Sequence, residues 1–151
     1  MDKASISGES SRRSSDHRDS ARFEVNLPAT VKISRTVMTQ PFQMKDAAIR
    51  EIARSGAGLS LTIEAGATRE ELTKMLSRRR ACSALCQYPG AGRPSWVFGE
   101  ITFVEPRVTS QGVNVRFGVL LDESKPEGLA DLKAFLKTLE EQSGTPAPDR
   151  G

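Results

Sequence analysis

Two arginines, spaced Arg18-x-x-x-Arg22, lie where a polar serine-rich segment gives way to an apolar alternation. Guanidinium groups are planar, permanently charged and forked. They take phosphate oxygens bidentately, match the O6/N7 edge of guanine and stack on bases. A pair of them at the end of a polar arm could fold over an anionic nucleotide, although arginines in polar tails are more often simply solvated. The second stretch with chemical potential is Glu51-Ile52-Ala53-Arg54-Ser55-Gly56-Ala57-Gly58. Glycines there would let a phosphate or a base approach backbone amides, and a hairpin that needs glycine for its own geometry is the plainer alternative. A run of three cations, Arg78-Arg79-Arg80, is a third source of anion contacts or, more simply, a solvated helix end.

Catalytic chemistry has little to work with. The one histidine, His17, sits in the polar segment, and no Lys-Ser/Thr phosphate loop, nucleophile elbow or His-Glu metal motif is present. Cys82 and Cys86 would share one face of a strand with their Cα atoms ~13 Å apart, too far for a disulfide within one extended segment. With no further cysteine or histidine nearby, small buried apolar roles suit them better than zinc. The expectation is a non-enzyme without a metal or a resident cofactor.

The elements that must position these residues are mostly strands. Phe23, Val25, Leu27, Ala29, Val31 and Ile33 fall on alternate positions, the pattern of a strand with one buried face, and Pro28 suggests a bulge or an edge. A broken apolar stretch from Val37 to Met44 leads to Ala47–Ile52, then the glycine turn and a short strand at Leu59–Ile63. Strand patterns recur at 81–87 and 96–104, and Val113, Val115, Phe117, Val119 and Leu121 alternate cleanly. Glu105–Gly112 reads as the hairpin turn between the last two. Thr68-Arg69-Glu70-Glu71 has capping-box spacing ahead of Leu72, Met75 and Leu76, which predicts a short helix to about residue 80. Ser124-Lys125-Pro126-Glu127 repeats that spacing before a stripe of Leu129, Leu132, Phe135, Leu136 and Leu139. Trp96, Phe98 and Phe103 read as core or helix contacts rather than as a platform for bases.

The chain has 151 residues, 37% hydrophobic and 27% charged, with 22 basic against 19 acidic side chains and a formal charge of +3. That is one domain with a sizeable core and a mildly basic surface, too weak a footprint for a general nucleic-acid binder. No apolar run reaches the ~20 residues of a spanning helix. The first residues lack the apolar region of a secretory leader, and two cysteines suit a reducing compartment, so a cytoplasmic location is expected. Residues 1–17 hold too little apolar surface to offset ordering and read as a disordered Ser/Arg-rich arm. Residues 18–122 form the strand-rich domain, 123–143 a C-terminal helix and 144–151 a polar tail.

Taken in order, Arg18-x-x-x-Arg22, the strand Phe23–Val31, the Glu51–Gly56 turn and the late segments Gly99–Pro106 and Val113–Phe117 resemble a PilZ domain. The likeness spans about residues 18 to 122. It implies a mainly β fold, a six-stranded antiparallel barrel with a C-terminal helix and, in this chain, one inserted short helix. It also implies a bacterial cytoplasmic domain that binds cyclic di-GMP and changes its partner contacts on doing so. The ligand-binding set carried over is Arg18, Arg22, Glu51, Ala53, Ser55 and Gly56. Arg18, Arg22 and Gly56 match that family's motifs. Glu51 stands where the family has Asp or Asn, and Ala53 stands at its Ser position, with Ser55 two residues on as a substitute hydroxyl. Those departures leave a second expectation open, a domain that has lost the nucleotide and serves as a protein-interaction module in motility, pilus or surface-polysaccharide machinery.

Overall fold

The computed structural model describes residues 20–34, 42–77, 81–110 and 112–144. The expected arm at 1–17, Arg18, the cations Arg78–Arg80 and the tail beyond Gly144 lie outside them. The alternation that starts at Phe23 builds two strands rather than one, β1 (Ala21–Pro28) and β2 (Thr30–Ser34), broken at Ala29. There follow β3 (Phe42–Gln43), β4 (Lys45–Ser55), β5 (Gly58–Ala67), α1 (Arg69–Ser77), β6 (Ala81–Cys86), β7 (Ser95–Thr109), β8 (Gly112–Leu121) and α2 (Leu129–Gly144). One antiparallel sheet holds all eight strands in the order β1-β4-β5-β8-β7-β6-β2-β3. The chain is thus mainly β with two helices, and the six expected strands become eight. The break at Ala29 divides the first strand between distant parts of the sheet, and the short β3 adds the other.

Pro28 closes an edge strand, where a missing N–H is tolerated, and the β1–β4 register slips between Glu24 and Leu27. Across the break, Ala29 N–H donates to Ala47 O at 3.0 Å and Met44 N–H donates to Val31 O at 2.9 Å, so β2 is also tied to the start of β4. The inward row is apolar throughout. Val31, Ile33, Ile49, Ile52, Leu61, Ile63, Phe117 and Val119 are all buried, and Leu132 and Leu136 of α2 join them. Tyr88 stacks on Phe135 with ring centroids 5.9 Å apart, which seats α2 against the sheet.

Thr68 caps α1 as its spacing predicts. Glu71 N–H donates to Thr68 Oγ1 at 3.1 Å and Thr68 N–H donates to Glu71 Oε1 at 3.0 Å. Met75 is buried and Leu72 half-buried beneath the helix. The second capping box does not form. Ser124 turns back to Asp122, donating from its N–H at 3.0 Å and its hydroxyl at 2.6 Å, while Lys125 precedes a 3-10 turn at Pro126–Gly128 with no side-chain cap. Proline at the head of that turn favours it over an α-helical start at Ser124.

The last hairpin is longer than its sequence suggests. β7 runs on to Thr109, with Glu105 facing Arg116 and Pro106 facing Val115. Among the described residues β7 beyond Glu100 pairs with β8 alone, so Pro106 lies where β7 is an edge strand, the usual place for proline in a sheet. Among the described residues no helix is long and apolar enough to cross a membrane.

Candidate functional site

Strand register brings the motif residues together. Arg22 of β1 faces Ala53 of β4, and Glu24 faces Glu51. Because strand side chains alternate, Glu51, Ala53 and Ser55 share the outward face while Ile52 enters the core. On the next strand Thr62 faces Glu51 and Ser60 faces Ala53. Arg22 Nε lies 3.6 Å from Glu51 Oε1, with the Arg22 side chain 76% exposed and that of Glu51 16% exposed. Thr62 Oγ1, itself buried, also donates to Glu51 Oε1, at 3.4 Å. Glu51 is therefore held from both flanks, and Arg22 is free on most of its surface. An ion pair this exposed is worth roughly 0–1 kcal/mol, so a phosphate can compete for the guanidinium.

The hairpin itself is tighter than a phosphate-binding loop. Only Gly56 and Ala57 connect β4 to β5, and Ser55 pairs with Gly58. Of the two glycines it is Gly58 that needs its residue type, at φ +121°, whereas a Cβ on Gly56 would meet open space. Ser55 Oγ accepts from Ala57 N–H at 3.2 Å within the turn, which leaves its own O–H to donate. Two residues further on, Leu59 N–H donates to Glu123 Oε2 at 3.4 Å. A carboxylate of the chain itself thus sits against the hairpin backbone. Arg54 points away from this face and pairs with Glu140 of α2.

Two features of this face, an exposed ring and a cluster of charges, are invisible to local motif reading. Phe103 is not core: it is 41% exposed, and its ring lies over Gly118, which faces Thr62 across the β5–β8 ladder. A Cβ on Gly118 would overlap that ring, so glycine there is what lets Phe103 lie flat. Trp96 and Phe98 are likewise half-buried on the outward side of β7, with Val97 the residue that enters the core. Past Phe103, three arginines converge on one carboxylate. Arg50 Nε reaches Glu64 Oε1 at 3.0 Å, while Arg116 and Arg107 lie 3.9 and 4.0 Å from Glu64 Oε2. Only the register, which sets Glu64 opposite Arg116, assembles that group.

The cysteines lie in the inward row of β6, unpaired by a disulfide and buried. Among the described residues no group of three His, Cys, Asp or Glu side chains converges as a metal site would require. Comparisons with protein-family models, with curated proteins and with solved structures found no match.

Proposed function

We propose that the chain is a PilZ-like domain whose outward β1–β4–β5 face binds cyclic di-GMP. The observation that carries this reading is the register that sets Arg22, largely exposed, opposite Ala53 and beside Glu51, so that residues from two distant motifs share one face. Arg22 is suited to grip a phosphate or a guanine edge, with Arg18 four positions earlier as its companion. Glu51 has the acceptor oxygens that guanine N–H groups seek, and Phe103 offers an exposed ring on which a base can stack. The hydrogen bonds from Ala29 to Ala47 and from Met44 to Val31 favour a sheet curled as the family's barrel is. Binding would bring Arg18 to the ligand and change the surface that partners meet.

Calorimetric titration of the full chain with cyclic di-GMP tests the reading. Saturable binding that is lost in Arg22→Ala supports it, and the absence of heat at high ligand concentration overturns it.

A second reading is favoured by specific contacts. Glu51 is already engaged by Arg22 and Thr62, Leu59 N–H is taken by Glu123, and Ala53 has no hydroxyl. On this reading the face is filled by the chain's own groups and the domain acts as a protein-interaction module in bacterial surface machinery. A partner captured equally well with and without cyclic di-GMP supports it, and capture that requires the nucleotide overturns it.

A further inference from the structure

The opposite end of the outward face, formed by β2, β6 and β7, carries a cavity of about 590 Å³. Its origin lies in the side chains of β6. Of the outward side chains of β6, the small Ala81 and Ser83 line it, with Leu85 beyond it, flanked by Lys32 and Ser34 of β2 and by Phe98 and Glu100 of β7. Leu120 of β8 adds an apolar wall. The chain after β8 then closes one side: Asp122 N–H donates to Phe98 O at 2.8 Å and Lys125 N–H to Asp122 O at 3.2 Å. The volume lies within the roughly 300–1,000 Å³ of small-molecule sites.

Charge at the rim selects the ligand. Lys125 Nζ lies 5.4 Å from the centroid of the Phe98 ring, and Lys32 Nζ lies 5.5 Å from that of Trp96. Among the described residues each ammonium rests on a ring with no carboxylate at ion-pair distance, although Lys125 also acts on Asp122 from further away, and a desolvated anionic group would bind it more strongly than the ring does. Asp122 is committed to its own turn. The Ser124 hydroxyl and then its N–H hold that carboxyl below its ordinary range, with a further contribution from Lys125. That ionised carboxylate, itself on the lining, disfavours a second negative charge on anything bound. The Ser83 hydroxyl stands between the two sides as a hydrogen-bonding group, and Phe98 and Leu120 provide the apolar surface.

We propose that this cavity binds a small planar organic monoanion, an aromatic carboxylate of one or two rings. Its ring lies against Phe98 and Leu120 and its carboxylate meets Lys125 and Lys32. The site uses neither Arg22 nor Glu51 and stands independently of the cyclic di-GMP reading.

The full chain titrated with 1-naphthoate, followed by amide chemical shifts and by fluorescence of the single tryptophan, Trp96, tests this. Expected is saturable binding with shifts at Ser83, Phe98 and Leu120, weakened about tenfold or more in Lys32→Ala/Lys125→Ala. Binding should be lost in Ser83→Phe, which fills the cavity, and unchanged in Arg22→Ala. Should Ser83→Phe fail to fold, the lysine variant decides alone. Equal binding of the neutral analogue 1-naphthylmethanol, full affinity in the lysine variant, or no saturable change in the wild type would each overturn the proposal.

Discussion

Arg22 stands directly across the β1–β4 ladder from Ala53, with its Nε 3.6 Å from Glu51 Oε1. The residue paired with Arg22 across the ladder therefore carries only a methyl group, one outward position along β4 from the Glu51 that its guanidinium reaches. A hydroxyl there would reach any phosphate or base that Arg22 holds, and one hydrogen bond to a charged group is worth roughly 1.5–3 kcal/mol. On the proposed cyclic di-GMP reading, Ala53→Ser is expected to tighten binding about ten- to a hundredfold. Calorimetry with Arg22→Ala as the non-binding control measures this. Identical affinities of Ala53→Ser and the wild type would mean that the β4 face does not touch the nucleotide.

Glu64 is the hub of its face, with Arg50, Arg107 and Arg116 grouped around one carboxylate. Single exposed pairs contribute little, but removing the shared anion leaves three like charges close together. Glu64→Gln is expected to destabilise the fold by about 1 kcal/mol at low salt, and by less as salt screens the repulsion. Denaturant midpoints measured across a salt series check the sign. A destabilisation that stays constant or grows with salt would place the cost in packing instead.

What the sequence made legible follows from how local each signal is. The alternation at Val113–Leu121, the Thr68 cap and the Leu129–Leu139 stripe are each written within one element, and each stands in the structure with little change. Ser124 has the same spacing as Thr68 yet does not cap, because Asp122, two residues earlier, competes for it and Pro126 starts a 3-10 turn. The division of the first strand at Ala29 depends on which strands the two halves join. The same holds for Phe103, whose exposure depends on Gly118 lying beneath it from another strand. Of the expected site, Arg22, Glu51 and Ala53 are gathered by register, whereas Ser55 accepts a hydrogen bond within its turn and Gly56 meets no demand for glycine.

The two capping sequences make a controlled comparison. Thr68→Ala removes an acceptor for Glu71 N–H and breaks the reciprocal pair, so it is expected to cost about 1 kcal/mol. Ser124→Ala removes only a hydroxyl that donates to exposed Asp122, and the cost should stay within about 0.5 kcal/mol. Urea unfolding of both variants compares the two costs directly. Equal losses would contradict the difference in cap geometry.

Cys82 and Cys86 make the stability of the fold pH-dependent in a window set by burial. Removal from water pushes the Cys82 thiol from an ordinary 9.0 up to about 12 and that of Cys86 up to about 11. Tyr88 is raised in the same direction, by its burial first and then by Cys86 and Asp131. In the unfolded chain the thiols ionise from about pH 9, while the folded chain keeps them protonated. The native state then holds more protons than the unfolded one, so stability must fall as pH rises. The contribution is complete below the unfolded values and disappears through the folded ones. Denaturant midpoints between about pH 8 and about pH 11 are therefore expected to decline, and to decline less steeply in Cys82→Ala/Cys86→Ala. The native thiols should also react slowly with Ellman's reagent at neutral pH, because the thiolate is the nucleophile. Fast native labelling, or an unchanged slope in the double variant, would show that these sulfurs are not held in the interior as thiols.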